Sequence, residues 1–225
     1  RDWSSDVCSS DLTALRLLRA TKNRYGPADE VVAFEQTETG LAEVVDPSDL
    51  FRSQRETPVP GTCVTVTMEG RRALLAEVQA LIGASVAANP KRIVTGIDST
   101  RVTTLAAVTE RARVTGLSQY DVFVATVGGA QIADPAADLA ICLAMASAKL
   151  DTPIPGDVLA IGEVALSGDV RPVPHLARRV AEARRLGFKR ILVPAGSRDR
   201  VDGVRELRHL EAGIEALTRI ANEGR

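Results

Sequence analysis

"DPAADLAICLAMASAKL", Asp134 through Leu150, is the clearest helix in the chain, and the fold reads outward from it. Asp134 stands as N-cap with Pro135 at the first helical position, while Asp138 lies in the first turn and Lys149 in the last. Upstream, "TCVTVTMEG" (62–70) alternates as a strand, and "RRALLAEVQALIG" (71–83) reads as a second strand more than a helix because its neighbours are β-rich. "NPKRIVTGID" (89–98) supplies a third strand. Asp98 then caps a helix running to about Arg113, and "DVFVATVGG" (121–129) reads as a buried strand ending in two glycines. Downstream, "GDVLAIGEVALSGDVRPV" (156–173) reads as two strands joined through turn chemistry. "PHLARRVAEARRLG" (174–187) is a helix with Leu176, Val180, Ala183 and Leu186 on one face and Gly187 as its stop. "KRILVP" (189–194) is a strand, and residues 203–221 are expected as a closing helix. Strands and helices mixed in this way argue for one α/β (α+β) domain over residues 61–225.

Before that domain the texture differs. "LRLLR" opens a strand, "KNRYG" (Lys22, Asn23, Arg24, Tyr25, Gly26) forms a turn, and further strands are expected at Val31–Glu35 and Leu41–Val45. "DPSDLF" (46–51) reads as one helical turn capped by Asp46, and residues 53–60 form a polar, proline-containing linker. Residues 1–12, "RDWSSDVCSSDL", show no apolar periodicity and no signal-peptide pattern. "DVCSSDL" is what a common sequencing-library adapter encodes in one frame, so these residues are read as a non-native leader.

Composition narrows the function classes. The chain is 45% hydrophobic and 25% charged, ordinary for a soluble globular protein. Its 3% aromatic content argues against recognition of single-stranded bases by ring stacking. A net charge of −1 gives no global attraction to nucleic acid, so any such binding must be local. Cys8, Cys63 and Cys142 lack metal-ligand spacing, and no apolar run approaches the roughly 20 residues needed to span a bilayer. A cytoplasmic location is the expectation.

The chemistry is notable for what is missing. A phosphate loop needs Gly-Lys-Ser/Thr, and none of Lys22, Lys91, Lys149 and Lys189 follows a glycine. A serine–lysine pair needs both groups within hydrogen-bond reach, yet Ser147 and Lys149 stand two apart on one helix and face different ways. His175 and His209 read as surface or helix-end residues. A basic cluster remains: Arg178, Arg179, Arg184, Arg185, Lys189 and Arg190, with Arg171, Arg178 and Arg185 spaced by seven. A solvated face and a phosphate-contacting face both fit that cluster.

"LRATKNRYGPADEVVAFE" (18–35) followed by "GLAEVVDPSDLF" (40–51) resembles the end of the ATPase core in the RadA (Sms) family of bacterial DNA repair proteins. That family carries Lys-Asn-Arg-Phe-Gly, with Tyr25 standing here for the Phe. "EGRRALLAEVQALI", "GGAQIADPAADLAICLAMASA" and "IGEVALSGDVRPVPHLARRVAEARRLGFKRILVP" resemble, in order, the family's C-terminal domain, which has the Lon protease proteolytic fold (ribosomal protein S5 domain 2-like). The resemblance implies that residues 13–52 are the last strands of a RecA-like core, and that the chain is the C-terminal fragment of a longer protein. It further implies that Lys22 and Arg24 reach a neighbouring subunit's nucleotide, with Asn23, Tyr25 and Gly26 shaping the turn. ATP and Mg would bind the full-length protein, and zinc a four-cysteine element upstream of this chain. The implied assembly is a hexameric ring acting on single-stranded and branched DNA, promoting branch migration beside a recombinase, with Arg171, Arg178 and Arg185 as candidate DNA contacts.

The same resemblance bears on proteolysis. Lon-type domains place the nucleophilic serine within Gly-Pro-Ser-Ala-Gly, and the matching "DPAAD" puts Ala136 there. Matching "GDVRPVPHLARR" to the lysine turn puts Ala177 at the lysine position. A methyl group neither attacks a carbonyl nor accepts a proton, so the expectation is a Lon fold without Lon chemistry. Two rival readings are an active Lon-like serine–lysine peptidase and a stand-alone assembly module.

Overall fold

The computed structural model describes residues 15–19, 31–37, 40–44, 57–85, 89–112, 114 and 116–223. The "KNRYG" turn, the helical turn expected at 46–51 and the first half of the linker lie outside the described residues. Three antiparallel strands, β1 (Leu15–Arg19), β2 (Val31–Thr37) and β3 (Gly40–Val44), form a small sheet in that order.

The rest is built on one seven-stranded mixed sheet. Its strands are β4 (Thr62–Glu69), β5 (Arg72–Ala84), β6 (Arg92–Thr95), β7 (Tyr120–Thr126), β8 (Val158–Ala160), β11 (Arg190–Pro194) and β12 (Arg205–Leu207), ordered β12-β11-β8-β4-β5-β7-β6. β9 (Glu163–Val164) and β10 (Val170–Arg171) form a separate small hairpin. Between the strands run α1 (Ser99–Arg111), α2 (Asp138–Lys149), α3 (Leu176–Arg185) and α4 (Leu210–Glu223). β4 and β5 pair antiparallel, with Thr62 opposite Gln79 and Glu69 opposite Arg72, while β8, β11 and β12 run parallel to one another.

The strands' two-residue period divides the core into two layers. Cys63, Ala76, Val78, Val122, Val124, Val158 and Leu192 face α1, α2 and α4. Val64, Val66, Leu75, Leu159, Ile161, Ile191 and Val193 face α3, which contributes Leu176, Val180 and Ala183. α2 is buried from Asp138 through Ser147, as a helix apolar on every side must be. Gly61 is a point of close approach: its φ is +88°, and a Cβ there would collide with the Ala80 carbonyl. Its N–H donates to Ser147 Oγ at 2.9 Å, which gives the buried serine of α2 a structural task.

The mixed α/β fold read from the sequence is the fold found, with three local corrections. The closing helix starts at Leu210, not near 203. Arg205–Leu207 instead form β12, because Leu207 is buried and its backbone pairs with Pro194 of β11. The stretch 156–173 holds three short strands, not two: β8 joins the main sheet while β9 and β10 pair around the Ser167–Gly168 turn. β7 is half-buried, with Val122 and Val124 inside and Phe123 on a face that no helix among the described residues covers. No helix among the described residues is long and apolar enough to cross a membrane.

Candidate functional site

Asp134 to Asp138 form the turn that enters α2. Pro135–Ala137 make a single 3-10 turn capped by Asp134, whose Oδ1 accepts from the Ala136 N–H at 3.0 Å. Asp134 Oδ2 accepts from the Met68 N–H at 3.0 Å and from Arg179 Nη1 at 2.7 Å. The same Arg179 nitrogen donates to the Val66 carbonyl at 2.7 Å, and its Nε donates to the Pro174 carbonyl at 3.0 Å. Arg179 is only 2% exposed. One carboxylate therefore holds the entry of α2, the end of β4 and the first turn of α3 together, and each charge has a partner, as burial requires.

Asp138 does the same on the other side of the turn. It accepts from Arg101 of α1 through Nε at 2.9 Å and through Nη2, and from the Val164 N–H of β9 at 3.0 Å. Burial pushes its carboxyl above the ordinary range, with the Arg101 guanidinium and the Val164 N–H offsetting that only in part. The Arg101 side is pushed up by the Asp138 hydrogen bond, so the two partners report one ion pair from its costly and its favourable side.

Ala136 and Ala177 lie on the two elements that Arg179 and Asp134 join. Ala136 is buried against the α3 layer, and its carbonyl accepts from the Gly162 N–H at 2.8 Å. Ala177 is exposed in the first turn of α3, where its N–H meets Asp199 Oδ2 at 3.4 Å. Neither carries a group able to attack or to take a proton. Ser147 offers no substitute nucleophile, since its Oγ donates to the Thr152 carbonyl at 2.6 Å. Lys149 places its Nζ 3.2 Å from the centre of the Tyr120 ring. The histidines sit at helix starts as expected: His175 precedes α3 with φ +59°, and exposed His209 pairs with Asp169 at 2.8 Å.

The basic cluster is less uniform than its sequence suggests. Arg179 is no surface residue but the buried partner of Asp134. Arg190 pairs with Asp157, Arg184 donates to the Asp202 carbonyl, and Arg185, 53% exposed, is held by Glu182 one turn earlier. Arg178 is exposed and donates to the Arg71 carbonyl at 2.8 Å, which brings it beside the Gly70–Arg71 turn between β4 and β5. Arg171 is exposed on β10, opposite Glu163. Lys22, Asn23, Arg24, Tyr25 and Gly26 lie outside the described residues.

Two features went unread in the sequence. Arg71 adjoins Arg178 only because the hairpin folds back onto α3. Arg179 did leave a signal: with Leu176, Val180 and Ala183 it falls on the inward face at helical spacing, so its burial was legible. Among the described residues no group of acids, histidines and cysteines is arranged to hold a metal. Cys63 and Cys142 are fully buried, and burial pushes both thiols up to about 12.

Residues 92–221 match the Lon protease (S16) C-terminal proteolytic domain. Over 211 residues the chain is 45% identical to the DNA repair protein RadA of Mycobacterium tuberculosis H37Rv, covering 93% of this chain and 44% of that protein. It is 45% identical over 185 residues to RadA of Bacillus subtilis, covering 82% and 40%, and 43% identical over 182 residues to RadA of Escherichia coli K12, covering 81% and 40%. The chain thus spans less than half the length of these curated relatives. With a fold of that kind and a match over more than half its residues, the chain belongs to the Lon protease C-terminal domain family, in the form found in the C-terminal part of RadA proteins.

Proposed function

We propose that this chain is the assembly and DNA-binding part of an ATP-dependent DNA repair and recombination protein, working in the cytoplasm without peptidase activity. The observation that carries the reading is the turn at Ala136. Its flanking acids are consumed in holding β4, α1, α3 and β9, and a methyl group stands where a nucleophile would be needed. Similarity to RadA proteins supports the DNA repair role. In the longer protein, Lys22 and Arg24 reach the nucleotide of a neighbouring subunit, with Asn23, Tyr25 and Gly26 shaping the turn that presents them. Arginine's planar fork suits that phosphate contact. ATP with Mg and a zinc element belong to the part that precedes this chain in such proteins. The ring, a hexamer, moves on single-stranded and branched DNA, promotes branch migration and meets a recombinase.

Arg178 is the leading DNA contact, with Arg171 and Arg185 beside it in the proposal. Arg185 has to leave Glu182 to contribute, so it adds less. Replacing Arg178 and Arg185 together by alanine is expected to weaken duplex binding and reduce the slope of affinity against salt by one to two released counterions, about 0.9 each. Unchanged affinity across a salt series overturns the DNA role. Cleavage of casein by the chain overturns the loss of peptidase function and favours the rival enzyme reading.

A further inference from the structure

Among the described residues, the sheet face that carries α3 is covered over β4, β8, β11 and the first half of β5, where Ala73 and Leu75 join the α3 layer. Over the second half of β5 and over β7 and β6 no described element covers it. Leu81 of β5, Phe123 of β7 and Ile93 of β6 are direct neighbours across the three strands, and all three point to the α3 side of the sheet. Leu81 is 65% exposed and Ile93 48%. Gln79, Ala125 and Thr95 form the next row, and the groove between the rows is about 360 Å³. Pro60, Gly61 and Thr62 form one wall of that groove, and they are also the residues through which the chain enters the seven-stranded sheet. Whatever precedes residue 57 is delivered to the rim of the bare face.

The small sheet carries a matching surface. Gly40, Leu41 and Ala42 of β3 are all exposed, Leu41 by 60%. Residues 45–61 separate β3 from β4, a length that spans up to ~55 Å when extended. A tether of that length keeps its two ends at an effective concentration on the order of millimolar, far above that of any free partner. Exposed apolar surface at both ends of one tether favours an intramolecular contact over recruitment of a separate molecule.

We propose that the bare face of β5, β7 and β6 is the docking site for the β1–β3 unit of the same chain, with Leu41 of β3 seated against Leu81, Phe123 and Ile93. This does not depend on the DNA or ATP reading. It assigns to the Lon-type sheet the task of fixing the preceding strands, and with them the "KNRYG" turn that lies between β1 and β2.

The test is a disulfide trap in the chain with Cys8→Ser, carrying Leu41→Cys together with Leu81→Cys, the native Cys63 and Cys142 being buried. Mild oxidation is expected to give a fast-migrating monomer at a rate independent of protein concentration. Cross-linked dimers would show that the face takes a second copy and overturn the proposal. So would two thiols that react with maleimide yet form no disulfide. A second variant, Leu81→Glu with Ile93→Glu, changes side chains that the seven-stranded sheet itself leaves exposed, and that sheet is expected to stay folded by circular dichroism. After trypsin cleavage at Arg52 or Arg55 the two native pieces are expected to co-elute and the variant pieces to separate. Separation of the native pieces, or co-elution of the variant ones, overturns the contact.

Discussion

Replacing Asp134 by alanine tests the central structural claim, that this carboxylate is the tie between α2, β4 and α3. Three donors lose their acceptor at once: the Ala136 and Met68 N–H groups and Arg179 Nη1. The guanidinium is the expensive one. Arg179 is 2% exposed, keeps only the Val66 and Pro174 carbonyls, and becomes a buried charge without a counter-charge. Breaking a buried pair from one side costs about 3–5 kcal/mol, and for a domain of this size that corresponds to a melting temperature lower by about 10 °C. Arg179→Met alone is gentler, because Asp134 is 16% exposed and retains both backbone N–H donors. The double variant Asp134→Ala with Arg179→Met removes both charges, and its loss should fall well short of the sum of the single losses, by about 2 kcal/mol or more. Urea unfolding of the wild type, the two single variants and the double variant closes the cycle. A cost below about 1 kcal/mol for Asp134→Ala, or strict additivity in the double variant, refutes the reasoning, since a surface pair would behave that way.

Two further outcomes follow from the same accounting of buried groups. Thr65 is fully buried on β4 and its hydroxyl has no hydrogen-bond partner, so Thr65→Val should stabilise the chain by about 1 kcal/mol; a lower melting temperature would mean that the hydroxyl is satisfied after all. Asp157 is held below the usual carboxylate range, first by its hydrogen bond from Arg190. Because the folded value lies below the unfolded one, the stability is present above the unfolded value of about 3.9 and is lost as pH falls through the folded one. Arg190→Gln should therefore flatten the stability curve below about pH 4 and leave its slope between pH 6 and 8 unchanged. The pair is one-third exposed, so the effect stays within a few tenths of a kcal/mol, and an undiminished acid slope in the variant counts against it.

The elements that the sequence makes legible are those whose signals are local. α2 declares itself through Asp134, Pro135 and an unbroken apolar run, α3 through its one-sided stripe and α1 through Asp98, whose Oδ1 accepts from the Arg101 N–H. β5 is the instructive success: "ALLAEVQALI" could serve a helix, and only its β-rich neighbours decide for a strand. Where pairing partners far along the chain decide, local reading fails. Arg205–Leu207 carry no strand signal of their own and become β12 because β11 presents a free edge to them. "DVFVAT" is apolar enough to look buried on both sides, and no local feature tells that α3 stops short of β7. The sequence singles out Ala136 and Ala177 but not the work of Asp134 and Asp138, which exists only once α1, α3, β4 and β9 converge.

That convergence gives the turn at Ala136 a structural role that needs no reacting group. The turn at Asp134–Asp138 is necessary to the fold because its backbone is stitched to the strand end beside it. Gly162 donates to the Ala136 carbonyl at 2.8 Å, and Leu139 donates to the Gly162 carbonyl at 3.0 Å. Two carboxylates flank those bonds and complete donors on four separate elements. The methyl side chain of Ala136 therefore takes part in none of those hydrogen bonds. A change at Asp134 or Asp138 touches several at once. Scaffolding and any chemistry at this turn would rest on different atoms of the same five residues, so the turn serves as architecture whatever side chain stands at position 136.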